Sequence, residues 1–391
     1  MLRLEAANET IGGLAGTSAT ATVQDGMDGL NSLTLKVAAG KTYSFAGSIS
    51  EPGTLLKIIK DGEGTQILTK GLGTFGGLEV KQGKLQIGDG QTITGIGMGS
   101  DMSVEEGAEL ILNTSSAVEF SPQLSGQGTL TQAGTGTTTI SSGSFSAKTL
   151  NVLAGRVLAN SSSMTTNIQV TGGVLSGTGV VTGNVMVKGA GQINQKNSNG
   201  FDDGYGVFTV NGNLTLARPE TSSVPRLVLG VNYGGATVKD ADLASWINTN
   251  GADVSGYFAS VGDATFIQNT YDVSNYTHDQ LLVNGVLTLE AGALIVLENT
   301  HGYEFELGDV FNLLDWTSLN LVASGTDRLW NKEWDLLLPT LTGANMRWDT
   351  SLFDQYGIVF VSAPEPGRVC LLLFAFGGVL LRRRRSVRPQ C

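Results

Sequence analysis

Cysteine is almost absent. The chain of 391 residues has two, Cys370 and Cys391, both close to its C-terminus. A disulfide framework is excluded for everything before them, and so is a cysteine-based metal site. Histidine is as scarce, with only His278 and His301. They lie in different strand-and-turn contexts with no ligand spacing around them, so a metal pair or a catalytic triad has few possible members. Proline numbers 8 and charged residues make up 15% of the chain. The hydrophobic share is nonetheless 41%, too high for a disordered chain. An apolar stretch of the secretory kind is missing after Met1, where Leu2-Arg3-Leu4-Glu5 runs straight into polar, Gly-rich sequence.

What fills the chain instead is glycine, 54 residues of it, with many Ser, Thr, Asn and Val. Little Lys or Glu and much Thr and Val read as strands and tight turns. Net charge is −11, unevenly spread. Residues 368–391 hold six Arg and no acid, leaving 18 basic against 35 acidic residues elsewhere, a net of −17. An acidic body has nothing to neutralise phosphates with, so no nucleic-acid partner is expected.

From about residue 10 to 195, short runs carry apolar residues at i and i+2. Examples are Leu33-Thr34-Leu35-Lys36-Val37, Leu78-Glu79-Val80, Leu85-Gln86-Ile87, Leu150-Asn151-Val152, Ile168-Gln169-Val170 and Val185-Met186-Val187. That is the alternation of half-buried strands, with Gly, Asn and Ser between them where turns need positive φ. Closely spaced short strands fit an antiparallel sandwich or barrel, or a parallel β-helix. Repetition favours the β-helix. Gly53-Thr54-Leu55-Leu56-Lys57, Asp61 to Leu68 and Gly77 to Leu85 are echoed in order by Leu124 to Thr131, Gly136 to Ile140 and Leu150 to Leu158. Leu175-Ser176-Gly177-Thr178-Gly179-Val180-Val181 is a weaker third copy.

These segments resemble the autotransporter-associated β-strand repeat of exported bacterial proteins. The match is good near 50–87 and 124–158 and degenerate elsewhere. The resemblance implies an all-β fold, a right-handed parallel β-helix.

Residues 196–362 read as continued solenoid and cap, with an insertion at about 232–278. Val210-Asn211-Gly212-Asn213-Leu214-Thr215-Leu216 recurs as Val283-Asn284-Gly285-Val286-Leu287-Thr288-Leu289, and Asn-Gly between alternating runs is a hairpin or turn signal. Asp240 to Ile247 fits one short helix. All five tryptophans follow residue 240. The order Asp279 to Gly285, Gly308 to Trp316, then Trp348-Asp349-Thr350 is similar to the end segment of verrucomicrobial and planctomycetal surface proteins. Its expected role is a β-rich cap, whose aromatic residues cover the open end of the stack.

The tail, 363–391, is a separate object. Pro364-Glu365-Pro366 precedes an uncharged run from Val369 through Leu371, Leu372, Leu373, Phe374, Phe376, Val379 and Leu380 to Leu381, and then Arg382, Arg383, Arg384 and Arg385. As a short hydrophobic helix at about 1.5 Å per residue the run spans roughly 20 Å, against a hydrocarbon core of about 30 Å. Snorkelling arginines and local thinning leave a temporary or single-pass membrane anchor open, with the Arg cluster cytoplasmic and the body outside. Burial as a terminal helix would drag four arginines against a core. The order resembles the PEP-CTERM sorting signal. That resemblance implies recognition by an exosortase-type membrane protease, cleavage near Pro364-Glu365-Pro366, and release to the cell surface or exopolysaccharide matrix. Cys370 is then a small apolar residue of the run. Export without a leader at Met1 leads to the expectation that this sequence lacks a signal peptide, and further coils, upstream.

Other motifs give little. Gly71-Leu72-Gly73-Thr74-Phe75-Gly76 matches a dinucleotide fingerprint, but strand-like Leu78-Glu79-Val80 follows where a helix is required. Asp202 and Asp203 sit in a turn-like cluster able to hold Ca²⁺, yet the EF-hand spacing is absent and a solvated loop is the simpler reading. No cofactor is expected. Two functions remain. One is a noncatalytic surface or matrix protein of structural or adhesive role, a stiff stack whose Ser, Thr and Asn faces hydrogen-bond exopolysaccharide. The other is a β-helical polysaccharide lyase or glycosidase, for which Asp202, Asp203, Asp240 and Asp242 are the candidate acids and which requires charged groups converging from successive coils.

Overall fold

The computed structural model describes residues 1–4, 8–25, 31–49, 56–70, 76–93, 101–120, 123–141, 144–195, 206–218, 223–231, 279–299, 302–323 and 328–362. They form two compact units, the first built from Met1–Asn232, His278–His301 and Leu313–Leu338.

The first unit is a parallel β-helix, as the alternating runs require. Each coil lays strands into rows, and every strand pairs in parallel with its equivalent one coil on. One row runs through Asn8–Ile11, Ser32–Lys36, Lys57–Asp61, Gly77–Val80, Met102–Val104 and Leu124–Gly126. A second runs through Thr42–Phe45, Thr65–Leu68, Lys84–Ile87, Glu109–Leu112 and Thr129–Gln132. Phe145–Val152, Met164–Val170, Gln280–Glu290 and Leu314–Val322 are long enough to serve both rows; their pairings skip register at the corner or divide between two partner strands. A third row begins at Val118–Phe120 and continues through Thr137–Ile140, Arg156–Ala159, Val174–Ser176, Gln192–Asn194, Arg226–Val231 and Leu294–Asn299 to Leu336–Leu337. Leu2–Leu4, Thr22–Asp25 and Ser48–Ile49 make a small parallel sheet of their own.

Period-two alternation turns one side of each strand inward. Leu85, Leu110, Leu130, Leu150, Ile168, Val185, Leu214 and Leu287 stack along the interior, each 1% exposed or less. This is the continuous core that lets a repeat protein fold without cross-links. The two Asn-Gly copies are corners between parallel rows, not hairpins. Leu214 pairs directly with Leu287, and the Val286 amide donates to Asn213 Oδ1 at 2.9 Å across a separation of 73 residues. Leu214 and Leu287 are therefore neighbouring rungs of one row. Glycine is needed there because a Cβ on Gly212 would stand 2.2 Å from the Gly183 carbonyl oxygen, and one on Gly285 2.2 Å from that of Gly212.

The last coil closes on Trp330, which is 2% exposed and donates from Nε1 to the Ala293 carbonyl at 2.9 Å. A one-turn helix, Lys332–Asp335, follows, capped by Asn331, whose side chain accepts from the Glu333 amide. Arg328 grips buried Asp335 through two bonds of 2.6 and 2.7 Å.

The second unit, described over 302–312 and 339–362, is antiparallel. Ile358–Ser362 lies between Val310–Asn312 and Arg347–Asp349. Its core is aromatic. Tyr303, Phe305, Phe311 and Trp348 meet mostly edge to face, with centroids 5.0 to 6.3 Å apart.

Candidate functional site

Most residues singled out by the sequence lie outside the described residues. These are the tail from Pro364 to Arg385 with its apolar run, Asp202 and Asp203, Asp240 and Asp242, the helix expected at 240–247, His278, His301, and Gly71 to Phe75. The residues that follow Gly76 do form a strand, Gly77–Val80, which is incompatible with the helix a dinucleotide fingerprint needs. Among the described residues no helix is long and apolar enough to cross a membrane, and no group of three His, Cys, Asp or Glu is placed to hold a metal ion.

What the fold does assemble is a pair of outer stripes on the first unit. Rows in register bring the outward residue of each coil into line, at about 4.8 Å per rung. On the first row, Thr10, Thr34, Ile59, Glu79, Ser103 and Ser125 are successive partners. Ser146, Thr165, Thr182 and Asn211 continue the row, and Asn284 Nδ2 donates to Asn211 Oδ1 at 2.8 Å. On the second row, Ile111, Thr131, Asn151, Gln169, Met186, Thr215, Thr288 and Asn320 are aligned in the same way. From Ser103 on the first row and Ile111 on the second, neither stripe carries a charge.

The corner between the two stripes is held by an asparagine ladder. Asn184 N donates to Asn167 Oδ1 at 2.9 Å, Asn213 N to Asn184 Oδ1 at 3.0 Å, and Val286 N to Asn213 Oδ1. Each side chain satisfies a backbone donor that the sheet ladder cannot reach at a corner. The amides are thereby fixed, and the Thr166 hydroxyl donates to the Asn167 carbonyl at the same corner.

The N-terminal coils are different. Their outer positions carry ion pairs that cross from coil to coil, Lys36 with Asp61, Lys57 with Glu79 and Lys84 with Glu109, and one within a coil, Lys81 with Glu79. Glu109 also accepts from Thr131 Oγ1 at 2.6 Å. Half-exposed pairs of this kind contribute at most about 1 kcal/mol each. They engage these carboxylates with lysines and a hydroxyl.

Lys60, Gln66 and Gln132 are among the polar side chains that point inward, and sequence reasoning did not foresee them. Lys60 lies between Leu35 and Val80 in register and is wholly buried. Its Nζ donates to the carbonyls of Asp61, Gly62 and Gln82 at 3.0, 2.7 and 3.0 Å. Burial pushes its pKa down to about 8, with neighbouring Asp61 opposing. Gln66 exchanges bonds with Leu14, its Oε1 accepting from the Leu14 amide and its Nε2 donating to the Leu14 carbonyl. Gln132 donates to the Gly134 carbonyl at 2.8 Å and accepts from Thr138 Oγ1 at 2.6 Å. All three serve carbonyls or hydroxyls at coil corners, which is a structural task. The only sequence signal was negative: each interrupts an otherwise apolar inward series.

No protein-family model and no curated protein matches the chain. The arrangement aligns hydroxyl and amide side chains along the first-row stripe, interrupted in the second row by Ile111 and Met186, with the Lys148–Glu106 ion pair at the corner. Among the named stripe residues from Ser125 on the first row and Ile111 on the second, no nucleophile stands beside a base.

Proposed function

We propose that this is an exported, noncatalytic surface or matrix protein of structural or adhesive role, sorted through its C-terminal tail and holding exopolysaccharide along the uncharged stripes. One observation carries the reading. Ser146, Thr165, Thr182 and Asn211 are aligned on consecutive coils beside an asparagine-fixed corner. A polymer of hydroxyl-rich units presents the matching donors and acceptors at each repeat, and a pre-ordered sheet loses little entropy on binding it. Absence of charge favours a neutral polymer, since a charged one gains no ion pairing there.

The tail supplies the location. The order Pro364-Glu365-Pro366, Val369 to Leu381, Arg382 to Arg385 fits a tag that lodges temporarily in the membrane until an exosortase-type protease removes it. Mass spectrometry of the cell-surface fraction tests this. The expected product ends near Pro366. Surface copies that all retain Arg382 to Arg385 would contradict the processing.

A further inference from the structure

At the corner between the first and second rows, three consecutive coils share one pattern. Thr182-Gly183-Asn184, Asn211-Gly212-Asn213 and Asn284-Gly285-Val286 lie one above another, as the pairing of Thr182 with Asn211, Val185 with Leu214 and Leu214 with Leu287 requires. Close stacking demands the middle glycine: a Cβ on Gly183 would stand 2.1 Å from the Thr166 carbonyl oxygen. All three glycines are part-exposed. They form a strip of bare backbone with a line of side chains on either side. One line is Thr182, Asn211 and Asn284, all exposed. The other is Asn184 and Asn213, also exposed, followed by Val286.

The two lines differ in what they offer. Asn184 Oδ1 accepts from the Asn213 amide at 3.0 Å, and Asn213 Oδ1 from the Val286 amide at 2.9 Å. The Nδ2 groups of both make no further bond among the described residues, so this line presents a donor on each of two successive coils. On the other side of the strip, Asn284 Nδ2 donates to Asn211 Oδ1 at 2.8 Å. That leaves Asn211 Nδ2 as a donor and Asn284 Oδ1 as an acceptor, beside the Thr182 hydroxyl, which is both. These groups stand on paired strands and recur at about 4.8 Å, the distance between coils.

We infer that this strip binds an extended polysaccharide of equatorially linked pyranose units, laid along the stacking direction with one sugar on each coil. The inference rests on the reading of the stripes as a polysaccharide-holding surface and narrows it to one polymer class. In such a ribbon each unit advances by nearly the distance from one coil to the next, so a sugar seated on one coil places its neighbour on the next. Successive units turn over and point their hydroxyls alternately to one side and the other; a line of polar groups on each side meets both. Bare glycine backbone lets the flat ring approach closely, where a side chain would hold it off. Amides already fixed by their own hydrogen bonds lose little rotamer freedom on binding. An axially linked glucan coils instead, and carries its hydroxyls off the line within a few units. None of the five polar side chains is charged, so no uronic acid or sulfate is called for.

The test is calorimetric titration of the full chain with hexasaccharides. The β-1,4-linked hexamers of glucose, mannose and xylose are compared with the α-1,4- and α-1,6-linked hexamers of glucose. At least one β-1,4-linked hexamer should bind about tenfold or more tighter than either α-linked one, and its affinity should rise with length from the disaccharide as further coils are reached. Thr182→Arg, at an exposed position, should leave the far-ultraviolet dichroism and melting unchanged and abolish the preference by obstructing the strip. Equal binding of α- and β-linked hexamers overturns the inference, as does a folded Thr182→Arg protein that keeps the preference, or a protein retained by polysaccharide that binds no hexamer. Each of these leaves the broader polysaccharide-holding reading in place. Failure of any polysaccharide to retain the protein defeats that reading and this inference with it. Should Thr182→Arg not fold, the linkage preference of wild type decides alone.

Discussion

Lys60 stands in an interior column between Leu35 and Val80, where its neighbours are fully buried aliphatic residues. An unpaired ammonium in such a place would be prohibitive. Three carbonyls at the coil corner accept its three protons, which makes the burial tolerable. Replacing it with methionine keeps the volume but strands those carbonyls. The expected loss is about 1–3 kcal/mol, the cost of unsatisfied buried acceptors, measured as a lower denaturant midpoint with unchanged slope. A pH signature accompanies it. Burial puts the folded-state pKa at about 8, below the ordinary value of about 10.4. Between those values the unfolded chain holds more protons, so this residue makes stability rise with pH in that window and adds no slope below it. The gap between wild type and Lys60→Met should therefore widen from pH 8 to pH 10. A constant gap would show that the ammonium is not held in a desolvated site.

At the scale of elements, the sequence carried the strands plainly. Leu-Thr-Leu, Leu-Gln-Ile and Leu-Asn-Val runs alternate with period two, and each is a strand with its apolar residues inward. The middle residue of each such run is the one that later faces solvent, so the polar stripes were legible in outline. Their alignment was not. A three-residue strand does not say which other strand it will lie beside, and only the rows place Ser146 next to Thr165 and Thr182. The Asn-Gly pairs were ambiguous for a related reason, because the same local turn chemistry serves a hairpin and a solenoid corner. The aromatic residues of the C-terminal third were expected to cap the stack. Trp330 does lie buried in the last coil, while Trp334, four residues later, lies exposed; spacing alone does not tell them apart. Trp330→Ala removes a large side chain and a hydrogen bond to Ala293. The expected cost is about 3–5 kcal/mol, confined to the end of the stack, since each coil contacts only its neighbours. Hydrogen exchange should show the amides of 314–322 and 336–337 losing protection while those of 129–170 keep theirs. Equal loss in both would mean that the solenoid unfolds as one unit.

At the scale of the whole molecule, charge is divided by position. Ion-paired lysines and carboxylates crowd the outside of the early coils, the first-row stripe of the later coils carries hydroxyls and amides, with Lys148, paired to Glu106, at the corner beside it, and a cluster of arginines lies in the C-terminal tail. This division supports a single account, in which the tail delivers the protein and the later coils hold a neutral polymer. Salt should then have little influence on binding, because the contacts are hydrogen bonds between uncharged groups. The most direct measurement is co-sedimentation of the protein with neutral and with acidic polysaccharides, comparing wild type with Thr165→Glu/Thr182→Glu. Both positions are exposed, so the double variant should keep its fold. The account predicts retention of wild type by a neutral polysaccharide, strong loss of retention in the double variant, and no oligosaccharide released by either. Equal retention of the two proteins, or soluble sugar fragments appearing with time, would contradict it.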